Sequence, residues 1–290
     1  MNAAAARRFR LDLPQGEAAW LLWLVLPALL VLLLCFVTPL GAMVVRSLTD
    51  PSPANYLRFF EKSFFPLSLA YTVGMSLAVV ALCLLLGYPV AYLMHRSTFG
   101  WRMLLTVVVL LPFWSSLLVR TYAWTIILRD TGLINWLLLE SGLIERPVQL
   151  MGNSIGVLIG MTHIMLPFLV LPLYASMQRI DERLLIAAAS MGATAARTFR
   201  QVFLPLSLPG VMAGALLVFV LSIGFYITPA LLGGRTAFYT LMIDLQINRL
   251  LDFGFGSTLA VILLVVVLAV IGLGGRVVRL DAIFGEGARR

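Results

Sequence analysis

Residues 179–209 read RIDERLLIAAASMGATAARTFRQVFLPLSLP, and this stretch decides how the rest of the chain is understood. It is a polar interruption between two long apolar runs, 147–178 and 201–234. Asp181 and Glu182 open a helical stretch at the end where the helix dipole favours negative charge. Ala187, Ala188, Ala189, Gly192 and Ala193 follow as a surface of small side chains that lets another backbone come close. Phe199, Val202 and Phe203 add apolar bulk, Arg197 and Arg200 add charge, and Pro205 is expected to end the second helical piece. The residues alone leave two readings open: a docking element for another protein, or an amphipathic helix on the inner leaflet with its arginines on lipid phosphates.

Outward from this segment the chain reads as an integral membrane protein. Of its 290 residues 61% are hydrophobic and only 12% charged, with a mean hydropathy of +1.00; soluble domains carry about 25% charged residues. Charge-free runs at 18–45, 63–94, 103–119, 147–178, 201–234 and 253–275 predict six spanning helices, each needing roughly 20 apolar residues. Arg120 shortens the third run, but 121–128 keep its apolar character and an arginine snorkels toward the interface. The expected fold class is therefore all-α and membrane-embedded, one domain over 18–278 with cytoplasmic tails at 1–17 and 279–290.

Six spans put both termini on one side, and the excess of basic residues marks the cytoplasm. With the termini inside, Arg7, Arg8, Arg10, Arg96, Arg102, Arg179, Arg183, Arg197, Arg200, Arg276, Arg279, Arg289 and Arg290 are cytoplasmic, most of the 21 basic residues. The net charge of +8 is thus a topology signal, and nucleic acid is not an expected partner. The first run follows basic residues as a secretory signal would, but it is too long for one and no small-x-small site follows. Cys35 and Cys83 fall inside predicted spans as packing residues, not as a disulfide framework. Short interfacial helices are expected in the outer loops 46–62 and 129–146. Pro112, Pro167, Pro172 and Pro229 are candidate kinks, and Gly210 and Gly214 form a small-xxx-small pair suited to close helix packing.

The residues exclude an ATP site in this chain. A P-loop needs a lysine after a glycine-rich turn, and the sole lysine, Lys62, follows Phe60-Glu61 with no glycine nearby. His95 and His163 lie apart, and no cysteine pairs with either, so neither a metal centre nor a nucleophile is expected. Any energy from ATP, and its Mg, must be handled by partner subunits.

The segment resembles the EAA loop of permease subunits of bacterial ABC importers: Glu-Ala-Ala, three residues, Gly, nine residues, Ile-x-Leu-Pro. Ala187, Ala188, Gly192, Val202, Leu204 and Pro205 stand at matching positions, Ile186 stands where the family usually has Glu, and Glu182 lies one helical turn away. Leu111-Pro112-Phe113-Trp114, Arg120-Thr121-Tyr122-Ala123-Trp124, Leu166-Pro167-Phe168, Leu171-Pro172-Leu173-Tyr174 and Thr228-Pro229-Ala230-Leu231-Leu232-Gly233-Gly234 look like the spermidine/putrescine-type branch. Asp252-Phe253-Gly254-Phe255-Gly256 is similar to its Asp-Trp-Pro-Phe-Gly motif.

The resemblance implies a type I importer fold in the bacterial inner membrane, a second permease, two ATPase subunits and an external solute-binding protein. It also implies that the EAA helix seats in a groove of the ATPase. For a polyamine pathway, acidic or aromatic groups are expected to face the cavity. The candidates are Trp114, Arg120, Tyr122, His163, Phe225, Tyr226 and Asp244. An ion-coupled carrier or a non-transport scaffold are the alternatives, and the first would want intramembrane carboxylates, which the runs lack.

Overall fold

The computed structural model describes residues 17–277, so the tails expected at 1–17 and 279–290 lie outside the described residues apart from Glu17. The first half of the chain forms α1 (Glu17–Thr49), α2 (Asn55–Glu61), α3 (Phe64–Arg96), α4 (Phe99–Leu110), α5 (Leu117–Ile127) and α6 (Leu133–Glu140). The second half forms α7 (Ser154–Met177), α8 (Glu182–Ser190), α9 (Ala195–Thr198), α10 (Leu204–Ile223), α11 (Ile227–Leu232), α12 (Tyr239–Asp244) and α13 (Phe253–Val277). The two expected interfacial helices are α2 and α6.

Among the described residues five helices are long and apolar enough to cross a membrane: Val25–Thr49, Phe64–Arg96, Ser154–Met177, Ala195–Ile223 and Phe253–Gly275. The sixth apolar segment is a bent pair, Phe99–Trp114 and Leu117–Ile127 meeting at 99°, the form of a broken span or a re-entrant loop. Pro112 supplies no N–H, the chain tightens into a 3₁₀ turn over Leu111–Trp114, and Ser115 closes it by donating both its N–H (3.2 Å) and its Oγ–H (3.0 Å) to the Pro112 carbonyl. The kink expected at Pro112 is thus a turn of 99°.

The fifth run also differs from expectation. Its span ends at Ile223, and residues 227–232 form α11 as a separate short helix packed on α5 and α7. Side chains of α3 hold this returning segment. Ser68 Oγ donates to the Ala237 carbonyl at 2.8 Å, and Thr72 Oγ1 accepts the Tyr239 N–H at 2.8 Å. Thr240 Oγ1 donates to the Phe225 carbonyl at 2.9 Å, and the Gly152 N–H to the Leu232 carbonyl at 2.9 Å. Irregular backbone at membrane depth is stable only when its polar groups are satisfied in this way.

The core lies where α3, α7 and α10 meet, around Val79, Cys83, Met161, Leu169, Val218 and Ile223. Helices in lipid gain little from hydrophobicity and associate through close packing. Gly210 and Gly214 serve that packing within the chain. A Cβ on Gly210 would collide with Ser176 of α7, and one on Gly214 would come within 3.0 Å of the Leu169 carbonyl. The small-xxx-small pair is therefore an α7–α10 seam. Flanking the core, α1 pairs with α13. Asp252 caps α13 by accepting the Phe255 N–H at 3.0 Å and pairs with Arg58 of α2 at 2.7 Å, while Arg58 lies over the Phe255 ring at 4.2 Å.

Candidate functional site: the 179–209 loop and the α5–α7–α12 face

The polar segment builds a helix, a reversal and a second helix from local chemistry. Asp181 caps α8, its carboxylate accepting the Arg183 N–H at 2.9 Å, with Glu182 in the first turn. Gly192 ends α8 with φ of +83°; its N–H bonds the Ala189 carbonyl at 2.9 Å, and the Ala193 N–H bonds the Ala188 carbonyl at 3.1 Å. This paired closure requires a left-handed residue, which glycine adopts without penalty. Thr194 then caps α9, its Oγ1 accepting the Arg197 N–H at 3.4 Å.

Pro205 does not end the second piece as expected. Residues 195–223 are one continuous span, and Pro205 sits in the first turn of α10. With no N–H at Pro205, the preceding turn Phe199–Phe203 widens to a π turn closed by the Leu204 N–H on the Phe199 carbonyl. The loop is therefore continuous with a membrane helix. Leu204 and Val202 are partly buried along the same continuous segment.

The inward side of the loop is aromatic. Tyr92 of α3 meets Phe199 and Phe203 at centroid distances of 5.4 and 5.1 Å, His95 meets Phe203 at 5.4 Å, and Phe199 stacks on Phe203 at 5.8 Å. Arg102 pins the end of α3 by donating to the carbonyls of Met94 (3.2 Å) and Ser97 (3.0 Å). Ala188 is buried here and is not part of an open small-residue platform, which corrects the expectation for that position. The outward side is Glu182, Ala187, Ile186 at 64% exposure and Met191 at 83%. A cavity of about 350 Å³ opens beside it, lined by Tyr92, Arg96, Ile186, Ala189, Thr198 and Phe199. Met191 was not singled out in the sequence, since its exposure follows from the reversal at Gly192.

The pathway candidates separate into groups. Trp124 Nε1–H donates to His163 Nδ1 at 3.2 Å, and Arg120 stands one turn before Trp124 on the same face of α5. Tyr226, in the break after α10, lies beside Asp244, and Asn248 Nδ2 donates to Asp244 Oδ1 at 2.7 Å. Phe225 packs against the core. Trp114 and Tyr122 are exposed on this chain, Tyr122 on the side of α5 opposite Trp124. The Trp124–His163 bond joins residues on two different helices, so no local sequence signal announced it, whereas Asn248 and Asp244 lie one helical turn apart. Among the described residues no group of His, Cys, Asp and Glu is arranged to hold a metal ion.

A helical bundle carrying an exposed two-helix loop continuous with a spanning helix defines a class, the membrane-spanning subunit of an ABC importer. Residues 149–276 match the family described as binding-protein-dependent transport system inner membrane component. The chain is 34% identical over 249 residues to the spermidine/putrescine transport system permease protein PotB of Escherichia coli (strain K12), covering 85% of this chain and 90% of that protein. It is 36% identical over 217 residues to PotB of Haemophilus influenzae, covering 74% and 75%. In fold it is similar to a bacterial ABC transporter involved in import of the acidic polysaccharide alginate, with a TM-score of 0.71 at 18% identity over 91% of this chain and 96% of that one. The chain belongs to the binding-protein-dependent permeases of ABC importers, in the spermidine/putrescine-type branch. It is a multi-pass inner-membrane subunit without catalytic activity of its own, working with an ATPase, a second permease and a solute-binding protein.

Proposed function

We propose that this permease pairs with a non-identical second permease, two ATPase subunits and an external binding protein to import a small polar amine, spermidine, putrescine or a relative. The amine is supported by identity to PotB over most of both chains. Both termini and the 179–209 loop lie in the cytoplasm in this reading, as the distribution of arginines favours. The outward side of α8, with Glu182, Ile186, Ala187 and Met191, seats on the ATPase. ATP and Mg bind to the ATPase subunits, whose closure moves α8. The stack of Phe199, Phe203 and Tyr92 carries that movement into α3, and the unbroken helix through Val202, Leu204 and Pro205 carries it into α10. On the opposite end, Trp114, Tyr122, Phe225, Tyr226 and Asp244 line the route of the solute, with Asp244 and the Tyr226 hydroxyl offering acceptors to an ammonium group.

The observation that carries this reading is the exposure of Ile186, midway along a capped helix outside the spans, and of Met191 at its end. A tagged chain is expected to bring down an ATPase and a second permease. Gly192→Trp is expected to leave insertion and ATP hydrolysis intact while solute uptake in proteoliposomes falls about tenfold or more. Uptake at the normal rate in that variant would remove α8 from the coupling role.

A further inference from the structure

The cavity of about 350 Å³ beside α8 reaches from the exposed surface of the loop down to its aromatic stack. Its floor is Tyr92, Phe199 and Phe203, the last only 2% exposed, the residues that join α3 to the segment running into α10. Ala189 and Ala193 wall it with small side chains, and Ile186 stands at its rim with most of its side chain exposed. The outward side of α8 and the cavity therefore form one continuous surface, because Ile186 belongs to both.

Arg96 gives the mouth its charge. It ends α3, lines the same cavity and is exposed. Among the described residues the one ion pair is Arg58–Asp252, so no carboxylate described here pairs with Arg96. The loop adds Arg179, Arg183, Arg197 and Arg200 against Asp181 and Glu182, and the Asp181 carboxylate is engaged in capping α8. A partner complementary to this surface brings an apolar group for the cavity and carboxylates for its basic surroundings.

We propose that the cavity is a socket for the ATPase, which inserts an apolar side chain against Phe199 and Phe203 and sets a neighbouring carboxylate on Arg96. The proposal rests on the importer reading above and adds the chemistry of the ATPase segment that meets the loop. An apolar anchor filling a pocket beside a charge-assisted bond is the arrangement in which protein interfaces concentrate their binding energy. The inserted side chain touches the aromatic stack itself, so closure of the ATPase subunits bears on Phe199 and Phe203 directly as well as through α8.

The test uses the complete importer. Ala189→Trp fills the cavity from within the chain and is expected to weaken ATPase binding about tenfold. Thermal unfolding of the tagged permease in detergent should not fall, since filling a cavity does not destabilise. Arg96→Glu is expected to weaken binding to a similar degree and Arg96→Lys to keep part of it. Unchanged ATPase binding in Ala189→Trp or in Arg96→Glu overturns the proposal. Should Ala189→Trp lower the unfolding temperature, a photoreactive leucine analogue placed at position 189 decides. It is expected to cross-link to the ATPase at an apolar residue within two positions of an Asp or Glu. A cross-link only to lipid, to the second permease or within this chain, or none to the ATPase, overturns the socket. An unaltered chain that retains its ATPase, with both variants indifferent, leaves the importer reading standing, whereas an unaltered chain that brings down no ATPase refutes that reading itself.

Discussion

Gly192 and Asp252 show how single residues set the two ends of the molecule. A Cβ on Gly192 would meet nothing within 4 Å in this chain, so its requirement is the left-handed backbone at φ +83°. Gly192→Ala is expected to cost about 1 kcal/mol from that conformation alone, with uptake less affected than in Gly192→Trp, whose bulk would face the ATPase in the proposed docking. Thermal unfolding in detergent beside uptake separates the two effects, and equal uptake defects in both variants would make the glycine purely conformational. Asp252 has two tasks, capping α13 and pairing with Arg58, whose side chain is 41% exposed. Asp252→Asn keeps the cap and loses only the screened pair, about 0.5 kcal/mol. Asp252→Ala loses both, about 1 kcal/mol more. The difference in melting temperature between the two variants checks the cap, and no difference would sink it.

At the scale of elements, the α7–α10 seam and the break between α4 and α5 matter most. Gly210→Val drives a side chain into Ser176 and is expected to destabilise the bundle by about 1–3 kcal/mol. Gly74→Ala of α3, where an added Cβ meets nothing within 4 Å, is the matched control and should not destabilise. A seam that tolerates Gly210→Val as readily as the control would mean that α7 and α10 are free to separate. The presence of these helices was legible in hydropathy, and so were the caps at Asp181 and the proline at the α4–α5 break. The 99° turn was not, because hydropathy records whether a residue suits lipid and not the direction in which its helix travels. Pro205 shows the same limit: its missing N–H was visible, but a π turn absorbed it where a helix end was expected.

For the whole molecule the arginine distribution favours an orientation with the termini inside. In a background of Cys35→Ser and Cys83→Ser, Ser141→Cys at the end of α6 is expected to react with an impermeant maleimide from outside the cell. Ser190→Cys at the end of α8 should react only in inverted vesicles. Labelling of both from one side, or with the sides exchanged, rules out the orientation. The sequence by itself determined the membrane class and the places of the long apolar helices, because apolar run length and charge position are local properties. Only the tertiary structure decided which residues meet: Trp124 with His163, Tyr226 with Asp244, Tyr92 with Phe199 and Phe203. The first two pairings depend on the bends after Leu110 and Ile223, and a helix in lipid is placed by close packing and satisfied backbone groups, which no single stretch of chain specifies.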